Sequence, residues 1–128
     1  MKFQISKSEL QKQISLVSRA INNKTTLPVL GNVLVTVQSN LVQFSTTNLE
    51  IAIETTTTIE NGEEGSTTIP VKLLEKYLQF LPECELDLVL EENETLHISS
   101  SFSDTTIKCI AAIEFPIIPQ SEKDTEIV

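Results

Sequence analysis

One five-element pattern occurs twice in this chain of 128 residues, and that repeat limits the fold more than any single motif. Each copy starts with a short alternating segment. An amphipathic helical stretch follows, and then three more strand-like segments. In the first copy Phe3 and Ile5 alternate with Lys2 and Gln4, predicting a strand. Ser6 and Glu9 are spaced as a capping box, and Leu10, Ile14, Val17 and Ile21 form one helical stripe to about Asn22. In the second copy Ser66–Ile69 is the strand and Pro70 the helix start, with no clear capping residue. Leu73, Leu74, Tyr77, Leu78 and Leu81 are the stripe, and Pro82 ends it. The two helix starts lie about 64 residues apart, with little residue-level identity between the copies.

The strands after the first helix are Val33–Val37, Leu41–Thr46 and Asn48–Glu54, the first two joined as a hairpin by Gln38-Ser39-Asn40. In the third, Leu49, Ile51 and Ile53 alternate with Glu50, Ala52 and Glu54, predicting one buried face, and Thr55–Thr58 extends it. After the second helix come Leu86–Leu90, Leu96–Ile98 and Thr105–Ile110. Two βαβββ units can put both helices on one layer and antiparallel sheets on the other. The expected class is therefore α+β, with two helices packed on antiparallel sheets. Beyond Phe115, Pro116–Asp124 reads as an extended connector, and Thr125–Val128 as a strand start with nothing to pair with. The expectation is one domain at residues 1–117 and a connector at 118–128 leading to a further domain.

Charge sharpens the picture. The net charge of −9 alone argues against a polyanionic partner. Yet Lys7, Lys12, Arg19, Lys24, Lys72 and Lys76, six of the nine basic residues, lie in the two helices or the loop after the first. Only Glu9 and Glu75 balance them, so these segments carry +4 and the remainder −13. If each helix buries its apolar stripe, the cations share one outward side. That distribution reverses the inference against a polyanionic partner.

Enzymatic chemistry has little support. His97 is the only histidine and sits in an alternating strand, where a surface or half-buried role is expected. Glu91, Glu92 and Glu94 share a turn, as do Glu63 and Glu64, with no partner in sequence to complete an acid–base or metal site. P-loop, GxSxG and GxGxxG motifs are absent. Cys84 and Cys109 lack CxxC spacing and read as free thiols of a reducing cytoplasm. No apolar run approaches the ~18 residues of a membrane span, and Met1–Ile5 lacks the apolar stretch of a signal peptide. No catalytic residue, metal or cofactor is expected.

Several ordered motifs resemble one family. Met1-Lys2-Phe3 opens the chain as that family does. Leu27-Pro28-Val29-Leu30-Gly31-Asn32 matches its signature after the first helix. Thr47-Asn48-Leu49-Glu50 matches its Thr-Asp-Leu-Glu, with Asn48 for Asp. Thr67-Thr68-Ile69-Pro70 matches its entry to the second helix, and Glu114-Phe115-Pro116 resembles its Asp-Phe-Pro. The chain thus resembles the amino-terminal domain of the bacterial DNA polymerase III beta subunit, the sliding clamp. The resemblance implies the DNA clamp fold, three such domains per chain, and two chains closed head to tail as a homodimer ring around double-stranded DNA. The ring would be a cytoplasmic, non-catalytic processivity factor in DNA replication. Its groove for the DNA polymerase III alpha subunit and the clamp loader would lie in later domains.

By the same resemblance Lys24 and Lys72 fall where the family has DNA-touching basic residues. Lys7, Lys12, Arg19 and Lys76 are lining candidates from helix geometry. The stretch Phe102, Ser103, Asp104, Thr105, Thr106, Ile107 and Lys108 corresponds to the edge that meets the partner chain. Asp104 and Thr105 depart there from the family's aromatic and basic side chains, so Phe102 and Ile107 are the expected apolar contacts. The alternative reading is an acidic protein-interaction domain with no DNA role. In that case the basic helix faces would be idle.

Overall fold

The computed structural model describes residues 1–21 and 27–116. Strand β1 spans Lys2–Ser6 and helix α1 Lys7–Val17, followed by β2 (Asn32–Val37), β3 (Leu41–Thr47) and β4 (Ala52–Thr58). The second unit is β5 (Gly65–Pro70), α2 (Val71–Gln79), β6 (Glu85–Glu91), β7 (Thr95–Ser99) and β8 (Asp104–Lys108). The strands form two antiparallel four-stranded sheets, ordered β1-β6-β7-β8 and β4-β3-β2-β5. Each unit therefore gives its first strand to the other unit's sheet: β1 pairs with β6, and β5 pairs with β2. The repeat expected from the sequence is present, but neither unit closes a sheet without the other. The exchange joins both units in one core.

That core holds Leu10, Ile14 and Val17 from α1, Leu74 and Leu78 from α2, Phe44 from β3, and Leu86, Leu88, Leu96 and Ile98 from β6 and β7. All are essentially inaccessible to water, as the helical and two-residue periodicities require. Among the described residues no helix is long and apolar enough to cross a membrane.

Ser6 caps α1 as expected, accepting from the Glu9 amide at 3.1 Å. The reciprocal half of the capping box does not form. Glu83 takes a first-turn amide instead, accepting from Ser8 N at 3.0 Å and from Ser8 Oγ at 2.9 Å. Glu9 Oε2 turns sideways, accepting from Gln13 Nε2 and from Thr57 Oγ1 of β4, both at 2.8 Å. These bonds, Gln13 first and Thr57 second, favour the carboxylate and hold the Glu9 pKa below its ordinary value. The regular helix ends at Val17 and tightens into a 3₁₀ turn at Ser18–Ala20. The expected stop at Asn22-Asn23 lies outside the described residues, as do the connector at 118–128 and the end of the domain at 117.

Thr46 is fully buried, and its hydroxyl donates to the Val17 carbonyl at the end of α1. Thr46→Val keeps the shape but strands that carbonyl. The expected cost is about 1–3 kcal/mol, read as a lower urea midpoint with an unchanged m-value.

The signature Asn32 is buried, and its amide donates to Thr68 Oγ1 at 3.0 Å. Thr68 Oγ1 in turn donates to the Ile110 carbonyl at 2.6 Å. The two motif segments thus meet in one network that ties the chain after β8 to the opposite sheet.

Three expectations need correction. The strand expected from Asn48 begins at Ala52, because Asn48 Oδ1 accepts from the amides of Glu50 and Ile51, both at 2.9 Å. Leu49 takes φ +81° in that turn, so Leu49 and Ile51 stay 61% and 55% exposed. The α2 stripe is narrower than the sequence predicts: Leu73 is 52% exposed and Tyr77 half-buried. The last strand starts one residue earlier than expected and ends at Lys108, with Ile110 bridging Thr68.

Candidate nucleic-acid interface

Helices α1 and α2 pack against each other and leave a shallow groove of about 320 Å³ between them. Gln11 and Ser15 line it from α1, and Glu75 and Gln79 from α2. Leu10, Ile14 and Val17 point inward, so Lys12 and Arg19 are left on the exposed face of α1 and its 3₁₀ extension. On α2 the burial of Val71, Leu74 and Leu78 exposes Lys72, Glu75 and Lys76. Among the described residues none of Lys7, Lys12, Arg19, Lys72 or Lys76 enters an ion pair.

The predicted cations are not all equivalent. Lys12, Arg19 and Lys72 are exposed. Lys7 is half-buried at the first turn of α1, where its backbone amide donates to the Cys84 carbonyl at 2.8 Å. Lys76 sits on the outer shoulder of α2, lining a second concavity beside β8 rather than the inter-helix groove. Lys24 lies outside the described residues. Exposed cations on the two helices can neutralise phosphates. They build no fork aimed at a base edge.

The opposite charge collects on the strands and their turns. Glu60, Glu63, Glu64, Glu85, Asp87, Glu91, Glu92 and Asp104 are all exposed. Among the described residues no group of three potential metal ligands converges. Cys109 is buried, and desolvation pushes its thiol up to about 11, where no thiolate nucleophile exists at neutral pH.

The predicted edge segment stands at the end of its sheet, with β7 on one side of β8 and, among the described residues, no strand on the other. Two backbone bonds set its phase. Ser100 N donates to Ser103 O at 2.9 Å, and Cys109 N donates to Glu94 O at 2.8 Å. Antiparallel bonding alternates, so Thr105 and Ile107 direct their backbone groups to β7. Asp104, Thr106 and Lys108 present theirs to the free edge. Ile107 is a core residue, only 3% exposed, so it supports the edge from inside. Phe102 stands 61% exposed at the turn before β8.

Sequence reasoning missed the other wall of this edge. Leu73 and Tyr77 of α2, with Phe80 just after it, join Thr105, Thr106 and Ile107 around the second concavity, about 280 Å³ in volume. Phe80, 80% exposed, was the available signal: a large apolar residue just past a helix end, off its buried stripe.

Against known proteins, residues 1–119 match the family model for the DNA polymerase III beta subunit, N-terminal domain. The chain is 30% identical over 128 residues to the beta sliding clamp of Vibrio harveyi, covering 99% of this chain and 88% of that one. It is likewise 30% identical to the beta sliding clamp of Vibrio cholerae, covering 99% of this chain but 35% of that one. Among solved structures, the DNA polymerase III subunit beta of Pseudomonas aeruginosa superposes with a TM-score of 0.87. It shares 30% identity and covers 94% of this chain and 32% of its own length. The chain thus spans about a third of the length of the Vibrio cholerae and Pseudomonas aeruginosa proteins.

Proposed function

We propose, on the premise that this chain belongs to the DNA polymerase III beta subunit family, that it is one sector of a ring that encircles duplex DNA. Its two helices face the duplex, and β8 is the edge that meets a second copy head to tail. The ring tethers the replicative polymerase in the cytoplasm and does no covalent chemistry itself. The DNA polymerase III alpha subunit and the clamp loader bind through parts beyond this domain, which ends near residue 117.

The observation that carries this reading is the separation of charge. Among the described residues, cations outside any ion pair stand on the helical layer of a chain whose net charge is −9, and carboxylates crowd the strands and turns. A sliding surface needs attraction without register, and a few exposed lysines and one arginine supply that. The acidic exterior keeps DNA from lying along the outside.

Charge reversal tests it. In the full-length protein, Lys24→Glu with Lys72→Glu is expected to weaken DNA association at low salt by about tenfold. It should also flatten the slope of log K against log salt by about 0.9 for each phosphate no longer neutralised. Lys2→Glu, on the sheet, is expected to change neither. Equal binding by all three proteins would favour the acidic interaction-domain reading instead.

A further inference from the structure

The side chain of His97 lies on the solvent face of its sheet, between β6 and β8. Val89 and Thr106 stand directly opposite it, with Glu91 and Asp104 on the diagonals. Nδ1 is 3.3 Å from Glu91 Oε2, and Nε2 contacts Asp104 Oδ1. Both ring nitrogens therefore face carboxylate oxygens. A neutral imidazole carries one N–H and one lone pair, so it can satisfy only one of these contacts. The imidazolium donates to both.

The remaining charged neighbours do not supply that proton. On β6, Glu85 and Asp87 are the other carboxylates of this face, Asp87 already accepts from Gln4 Nε2 at 3.1 Å, and Lys2 of β1 stands on the far side of Val89. On β8, the Lys108 ammonium donates to the Asn93 carbonyl. Thr95 and Ser99, the outward neighbours of His97 on its own strand, are uncharged.

Asp104 matters because of its position. It is the first residue of β8, its backbone faces the free edge, and it follows the turn that carries Phe102. Ser100 Oγ accepts from the amides of Phe102 at 3.1 Å and Ser103 at 3.2 Å. Tyr77 Oη bonds Ser103 Oγ from the helical layer. His97 is the matching tether from the sheet face.

We propose that His97, Glu91 and Asp104 form a proton-operated latch on the β8 edge, which tightens pairing with a second copy when the imidazole is charged and loosens it when the proton leaves. The proposal rests on the ring reading above. The direction of the effect follows from linkage. The Asp104 hydrogen bond, chiefly, raises the His97 pKa above its ordinary 6.5, against a smaller opposing effect of desolvation. The latch is then fully closed below about pH 6.5 and is lost as pH rises through the raised value. Deprotonation also leaves the Glu91 and Asp104 carboxylates with no cation between them.

The test measures dimer dissociation of the full-length protein by sedimentation at pH 6.0 and pH 8.5, with His97→Gln and Asp104→Asn alongside. The wild type is expected to dissociate about three- to fivefold more readily at the higher pH, and both variants to lose most of that difference. A dimer whose wild-type and His97→Gln forms share one pH dependence would overturn the latch and leave the ring intact. Absence of a dimer at either pH would instead overturn the ring reading. Deuterium exchange over residues 100–109 at pH 6.0 then judges the latch alone: slower exchange in wild type than in His97→Gln supports it, and equal exchange ends it.

Discussion

Protein loaded on a nicked circular duplex is expected to stay there at about 200 mM salt and to be lost almost completely once the circle is cut. The expectation follows from the weakness of the binding. Even a protein that neutralises 6–10 phosphates drops by about 10³–10⁵ in affinity between 50 and 200 mM salt. The cations of this domain are mostly exposed, and Lys76 sits off to the side of the helical groove. Among the described residues, the helical layer presents exposed cations and no fixed fork aimed at a base. Retention at that salt must then come from topology, and a free end removes it. The measurement is the fraction of labelled full-length protein co-eluting with DNA before and after a single restriction cut, after loading by the clamp loader proposed above. Equal retention on circles and linear molecules would mean that direct binding holds the protein and that the helical face belongs to an ordinary DNA-binding module.

Much of this architecture is legible in the residues because burial enforces periodicity. Leu10, Ile14 and Val17 can share a core only on a helix, and Leu86 and Leu88 only on a strand. The exchange of β1 and β5 between sheets is not legible. A strand's own pattern says which of its faces is apolar but not which neighbour it pairs with. The Leu49–Ile53 alternation misleads for a local reason. Asn48 has a side chain that bonds its own downstream amides, and this turn wins over strand propensity.

The candidate site divides in the same way. Lys12, Arg19 and Lys72 are exposed, as their places opposite apolar stripes require. Lys76 is turned toward β8 by packing that no local pattern encodes. The apolar wall of Leu73, Tyr77 and Phe80 is hidden for the same reason: it exists only because α2 lies against a strand about 30 residues further along.

Thr106→Pro is expected to weaken ring closure by at least tenfold while leaving the domain folded. Thr106 is exposed, and the alternation of backbone bonds in β8 turns its N–H to the free edge, away from β7. Proline there removes no bond of the β7–β8 ladder, which is why edge strands tolerate it. It does remove a donor that a pairing strand needs, and it puts a ring where that strand's backbone would lie. The missing hydrogen bond alone is worth about 0.5–1.5 kcal/mol, and exclusion of the partner strand adds to it. Thr105→Pro is the contrasting variant. Its N–H points to β7 opposite Ile98, so it is expected to lower the urea midpoint of the domain itself. Sedimentation and chemical denaturation of the two full-length variants separate the effects. If Thr106→Pro dimerises as tightly as wild type, β8 is not the edge that pairs, and ring closure must use another surface.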